Sequence, residues 1–344
     1  MPNGNSKYAA AAAVLVGVMF AATLLAWADD WGKDQWKIRP SLSTERVHFT
    51  VRQANTFGNW TNSRDVPLDR FRGFSLAMLA TPGPAKFEYV GDAGRLICEG
   101  RFTFGGGSGA YTFAPNSDFV RDLQQMGYST PDQDQLFSML LMDVDRRFAR
   151  DVRDAGLKAS TRELVELRIH GIDMDYIGGT RAAGYPDLTA QDYVQLKIHG
   201  VGTDFLRDLK DAGYNLRSRD IVELRIHGVD SGYMRELKSY GLSPSPADLT
   251  QLRIHGVTPQ YLKGLKDAGF ATLRSEEITQ LRIHGVEPDF ARAARDLGYD
   301  FTPEELVQLR IHGVDASYLR KLQDSGMRKL SAGQIAQLRI HGVE

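Results

Sequence analysis

Residues 200–227 read GVGTDFLRDLKDAGYNLRSRDIVELRIH, and the fold of most of the chain is decided there. Phe205, Leu206, Leu209 and Ala212 recur at the spacing of one helix face, and Gly213 follows where a helix ends in left-handed backbone. From Ser218 to His227 the pattern is helical again and stops at Gly228. The unit is a helix–turn–helix hairpin. Its closing phrase returns as LRIHGI at 167–172, LKIHGV at 196–201, and LRIHGV from 224, 252, 281, 309 and 338. A period of 28 or 29 residues, kept this strictly, signals a stacked array. The longer copies carry their extra residue in the turn, GYPDLT at 184–189 against GYDFT at 298–302, so both helices keep their length.

The second helix of each hairpin announces its start. Ser160 with Glu163, Thr189 with Asp192, Ser245 with Asp248, Thr302 with Glu305 and Ser331 with Gln334 match or nearly match a capping box. Arg217 and Arg274 hold the cap position in the two remaining copies, and the serine after each is expected to cap one residue later. The stretch 116–144 has the same skeleton without His-Gly and reads as a divergent first repeat. The αα-solenoid thus spans 116–344.

Seven of the eight histidines sit in the repeated phrase, at 170, 199, 227, 255, 284, 312 and 341. On a wheel of about 100° per residue with Leu164 at zero, Val165, Leu167 and Ile169 fall at about 100°, 300° and 140°, which predicts a broad buried arc. His170 falls at about 240°, on the polar side, one residue before the terminal glycine. There its partial positive charge suits the helix dipole, and Glu166 or its equivalents lie four residues back as partners. Stacked hairpins stand about 10 Å apart, whereas imidazoles sharing a zinc each reach about 2 Å from it. The histidines read as helix-end fittings, with no metal, cofactor or catalytic role expected.

The arginine is the stranger member. Arg168, Arg225, Arg253, Arg282, Arg310 and Arg339, with Lys197 in the remaining copy, fall at about 40°, inside the apolar arc. A charge there must be paired or must carry its head to a helix end. Two readings stay open. The row is an internal ladder, bonded to the carbonyls that end neighbouring helices or to Asp173, Asp230, Glu287 and Asp315, or it is a solvent-facing row contacting an anion or a partner.

Ahead of the array the pattern changes. In RLICEGRFTF, residues 95–104, Leu96, Cys98, Phe102 and Phe104 alternate with Arg95, Glu99, Arg101 and Thr103, as a half-buried strand requires. KFEYV before it and AYTF after it alternate likewise, with turn material at 91–94 and 105–109. Residues 46–115 therefore read as a small antiparallel β domain and the whole chain as α+β. GGGSG leads into a strand, not a helix, so it is no phosphate cradle. Cys98 is the only cysteine, which excludes an intrachain disulfide, and its place on the apolar face reads as a buried hydrophobe.

The first 28 residues carry one lysine, an apolar run from Tyr8 to Ala28 and an Ala-x-Ala site, which predicts a signal peptide or, because the run is long enough to span a bilayer, an uncleaved anchor. Residues 29–45 read as a linker. The bulk of the chain is expected in the periplasm or outside the cell, touching membrane only through residues 8–28. Lys plus Arg number 42 against 43 Asp plus Glu, so no bulk charge draws the protein to nucleic acid.

Arrays of LRIHGV separated by a Tyr/Phe, Leu, Gly-Tyr and Ser/Thr skeleton resemble the C-terminal repeats of certain bacterial envelope proteins, some fused to regulatory metallopeptidases of the β-lactam-sensor type. The resemblance covers roughly 116–344, and EGRFTFGGGSGAYTFAPN is similar to segments that precede such repeats. Without His-Glu-x-x-His or a multi-pass membrane domain, no peptidase activity carries over.

The expected function is that of a non-enzymatic protein–protein interaction scaffold in envelope signalling or assembly, its protein partner unnamed. The alternative is an envelope-polymer or glycan binder using Trp60, Phe87, Tyr89 and Tyr111 of the β domain as stacking platforms. A hydrolase would need a nucleophile–base or metal set that the sequence does not assemble. The last repeat keeps the internal pattern in Tyr318, Leu319, Leu322, Ile335, Leu338 and Ile340, so the expectation is either that the last hairpin frays in a monomer or that it is covered by end-to-end self-association or by a capping partner.

Overall fold

The computed structural model describes residues 35–55 and 58–343. The apolar N-terminal run lies outside them. No helix among the described residues is long and apolar enough to cross a membrane. The chain divides into two compact units, one ending at Phe148 and the other beginning at Ala149.

The first unit is built on one antiparallel sheet. Its strands are β1 (Gln35–Pro40), β2 (Arg46–Asn55), β3 (Gly58–Pro67), β4 (Phe71–Arg72), β5 (Gly83–Gly91), β6 (Gly94–Thr103) and β7 (Gly106–Pro115), in the order β3-β2-β1-β7-β6-β5-β4. The expected linker 29–45 therefore contains β1, the strand that joins β2 to β7 at the centre of the sheet. QWKIRP alternates, with Trp36 and Ile38 fully buried, but six residues are too short a run to stand out beside a polar loop.

Phe49 of β2 meets Phe71 of β4 edge-on at 5.2 Å between ring centroids. In a flat sheet those strands would stand five steps of about 4.8 Å apart, so the sheet curls and its distant strands share one core. Phe87, Tyr89, Leu96, Cys98 and Phe102 complete that core. Phe104, expected beside them, is 71% exposed. Thr103 pairs with Gly106, which puts Phe104 and Gly105 at the hairpin tip, and the strand alternation ends one residue too early to bury the ring. Of the expected turn 105–109 only Gly105 is in the turn.

The other glycines serve strand contact. Gly100 and Gly109 face each other across β6 and β7, and a Cβ on Gly109 would lie 2.0 Å from the Glu99 carbonyl oxygen. The buried Trp36 indole spans this place, its Nε1 donating to the carbonyls of Ala110 at 2.9 Å and Glu99 at 3.2 Å.

Two helices, Ser117–Gln125 and Gln133–Leu141, follow the sheet within the first unit. The expected divergent repeat thus belongs with the sheet. Phe137 of the second helix stacks on Tyr111 at 5.7 Å and meets Phe113 at 5.5 Å. Asp143, just past that helix in left-handed backbone (φ 55°), accepts from Arg64 and Arg70, and both arginines also donate to the Tyr89 hydroxyl. Burial pushes the Asp143 carboxyl up, but the bonds and charge of Arg64 and then Arg70 outweigh it and hold the group below the usual carboxylate range.

The second unit is the array. Its second-row helices are Thr161–Ile169, Ala190–Ile198, Ser218–Ile226, Pro246–Ile254, Ser275–Ile283, Pro303–Ile311 and Ala332–Ile340. Between them run Met174–Ala182, Thr203–Asp211, Ser231–Ser239, Pro259–Asp267, Pro288–Asp296 and Ala316–Asp324. First-row helices pack on first-row neighbours and second-row on second-row, as stacked hairpins must. The five capping boxes form as their spacing predicts. The Arg217 and Arg274 side chains accept no cap bond, although Arg274 N–H donates to Glu277 at 2.7 Å. The serines expected to replace them are the first residues inside their helices, and Ser218 Oγ donates to Asp192 instead.

Each second-row helix ends in the same double bond. At the fourth copy Gly256 N donates to Arg253 O at 3.0 Å and Val257 N to Leu252 O at 2.9 Å, a Schellman ending that buries Val257 completely. Gly256 has φ +67° with open space where a Cβ would stand, so the objection to a side chain there is backbone strain alone. Gly178 lies inside Met174–Ala182 with ordinary helical backbone and equally open space. Gly256→Ala should lower the unfolding free energy by about 1 kcal/mol, whereas Gly178→Ala should raise it by about 0.5–1 kcal/mol. Chemical denaturation of the two variants checks both signs.

Candidate functional site

Each junction in the array is closed by an aromatic ring, a cation and a backbone carbonyl. The ring comes from the third position of the first-row helix, where Tyr176, Phe205, Tyr233, Tyr261, Phe290 and Tyr318 are buried. The cation is the basic residue of the repeated phrase. Arg253 stands over Tyr233 at 4.5 Å from its centroid, Arg282 over Tyr261 at 4.9 Å, Arg339 over Tyr318 at 4.8 Å and Lys197 over Tyr176 at 4.4 Å. Arg225 and Arg310 cover Phe205 and Phe290 at 5.2 and 5.6 Å. Arg168 occupies the same place in the first second-row helix and is half-buried.

The carbonyl belongs to the valine after His-Gly. Tyr176, Tyr233, Tyr261 and Tyr318 donate their hydroxyls to Val201, Val257, Val286 and Val343 at 2.6, 3.0, 2.8 and 2.9 Å. Where the ring is phenylalanine no hydroxyl exists, and there the arginine takes its place. Arg225 Nη1 donates to Val229 and Arg310 Nη1 to Val314, both at 3.2 Å. The buried carbonyl is satisfied either way, as its desolvation demands.

Further bonds tie these heads to the preceding repeat. Arg253 Nε donates to Gly228 O at 2.8 Å and Arg310 Nε to Gly285 O at 3.1 Å, so these two cations sit at the negative C-terminal end of the preceding second-row helix. Of the carboxylates named as acceptors, Glu287 pairs with Arg282 at 2.7 Å. Asp173, Asp230 and Asp315 instead cap the next first-row helix, accepting from Tyr176, Tyr233 and Tyr318 backbone N–H groups.

The same residues settle what faces outward. Ile169, expected in the buried arc, is 52% exposed, and its counterparts run from 46% at Ile283 to 60% at Ile226. Burial stops at Val165, 8% exposed, one step of about 40° short of the isoleucine on the wheel. Ile169, Ile198, Ile226, Ile254, Ile283, Ile311 and Ile340 therefore form an apolar row along the second-row helices, flanked by the histidines. Those histidines are the C-cap residues just past the helices, half-buried or exposed, and His255 Nε2 lies 3.3 Å from Gln251 Oε1. Among the described residues no group of three or more His, Cys, Asp or Glu side chains converges as a metal site would.

The stacking aromatics of the β domain are differently placed. Phe87 and Tyr89 are in the core, and Tyr111 and Trp60 lie against Phe137, so these four rings do not make one open platform. Cys98 is fully buried and burial raises its thiol far above the ordinary range, which leaves no thiolate for chemistry. No family model and no curated protein matches the chain.

Burial pushes the phenols of Tyr176 and Tyr233 up to about 12, in Tyr233 against the opposing pull of Arg253, and it acts in the same sense on Tyr261 and Tyr318. A group whose folded value is raised contributes stability that is complete below its unfolded value near 10 and is lost as the pH climbs through the folded one. The array should therefore hold a constant urea midpoint up to about pH 10 and lose helix between about pH 10 and 12, together with the rise of tyrosinate absorbance. Tyrosinate appearing well before any loss of helix would show that the hydroxyls are not held as described.

Proposed function

We propose that this chain is an exported, non-enzymatic scaffold that binds protein along the second-row face of its array, in envelope signalling or assembly. One observation carries the reading, the row of seven isoleucines held about half in water. Single exposed apolar residues are ordinary, but one at the same place in all seven second-row helices supports reading that face as a contact surface. Covering a half-exposed isoleucine is worth about 1 kcal/mol, so the row offers several kcal/mol before the costs of association. The apolar N-terminal run supports export, and stacked repeats supply the extended rigid face that such a partner would use.

The replacement of Ile226, Ile254 and Ile283 together by Ser tests this. Surface changes of this kind move stability by about 0.5 kcal/mol each at most, so the melting curve should stay nearly in place. Chemical cross-linking in envelope extract should meanwhile lose the partners that the unaltered chain retains. Unchanged cross-links in the variant would overturn the reading.

A further inference from the structure

We propose that the occupant of this face is a second copy of the same chain, paired side by side and antiparallel. The inference rests on the contact-surface reading above and identifies its partner. Each second-row helix shows three residues to water along one stripe, at the isoleucine, three residues before it and seven residues before it. The middle row is Glu166, Gln195, Glu223, Gln251, Gln280, Gln308 and Gln337. The outer row is Arg162, Gln191, Arg219, Ala247, Glu276, Glu304 and Gly333. Its ends differ in sign. Both arginines precede Ala247 and both glutamates follow it, and all four charged side chains are exposed, Arg162 at 81% and Glu276 at 77%.

A two-fold contact brings one patch against itself. If the axis runs along the helices, the order of repeats is reversed while each row still meets its own kind. Isoleucine then faces isoleucine, Gln195 and Gln251 face Gln308 and Gln251, Glu166 and Glu223 face Gln337 and Gln280, and the register that sets Arg219 opposite Glu276 also sets Gln191 opposite Glu304 and Arg162 opposite Gly333. The small Ala247 falls on the axis, where the two copies approach each other most closely. The parallel alternative turns the outer row onto the isoleucines, which would press charge against apolar surface.

The acidic half has a place for the arginine. A groove between Ser275–Ile283 and Pro303–Ile311 is walled by Glu276, Gln280, Glu304 and Val307. Arg274 lines the same groove, bonded to Glu277 at 3.1 Å and paired with Glu276 at 3.9 Å, so Glu276, Glu277 and Glu304 share one guanidinium and the groove keeps a net negative charge. A guanidinium from the other copy suits that wall.

Sedimentation of the full chain in mild detergent, over a concentration series, tests the pairing. The unaltered chain should pass from monomer to dimer. Arg219→Glu should weaken the dimer about tenfold, because the two-fold axis repeats the lost pair, and Arg219→Glu with Glu276→Arg should restore it. Ile254→Asp should abolish it with the helical signal intact, which separates this contact from any made by the N-terminal run. A monomer at every concentration overturns the pairing, as does a dimer indifferent to these changes or a charge swap that restores nothing. If the unaltered chain is monomeric while the isoleucine triple variant still loses its envelope partners, the pairing fails and the contact surface stands. If the triple variant loses nothing, both fail.

Discussion

Everything in the array hangs on one buried carbonyl per repeat. The Schellman ending turns the chain sharply after His-Gly and sends the valine into the core, so its C=O leaves water without a helical partner. An oxygen in that position must be bonded, and the repeat meets the requirement in two interchangeable ways. Tyrosine donates a hydroxyl at Val201, Val257, Val286 and Val343, and arginine donates at Val229 and Val314, where the ring is phenylalanine. That exchange explains why Tyr and Phe alternate freely at the third helical position while a basic residue does not vary.

The arginine's place on the wheel follows from the same constraint. Inside the apolar arc it covers a ring and, at Arg253 and Arg310, reaches the glycine carbonyl of the preceding second-row helix. The inward clasp and the outward row of isoleucines are carried by the same second-row helices.

Much of this was legible in the sequence. The periodicity gave hairpins, the Ser/Thr with Glu/Asp/Gln spacing gave caps, and Gly after His gave helix ends, because each depends on neighbours within a few residues. Burial at the edge of a wheel is different. Ile169 and Leu167 are equally apolar letters, and only the reach of the adjacent helix decides that one is buried and the other half in water. The first unit shows the same limit. β1 has only six residues and is recognisable chiefly through its pairing with β2 and β7, and Phe104 depends on where a turn falls. Asp143 joins Arg64 and Arg70 across more than seventy residues, which no local pattern contains.

A double-mutant cycle on Tyr233→Phe and Arg253→Met tests the central claim most directly, read by chemical denaturation of the four proteins. If tyrosine and arginine serve one carbonyl, Tyr233→Phe alone should cost little, since Arg253 can turn to Val257 as Arg225 does to Val229. Removing both should then cost about 1 kcal/mol more than the sum of the single changes, because only the double variant leaves the oxygen buried and unbonded. Additivity within about 0.5 kcal/mol would contradict the account.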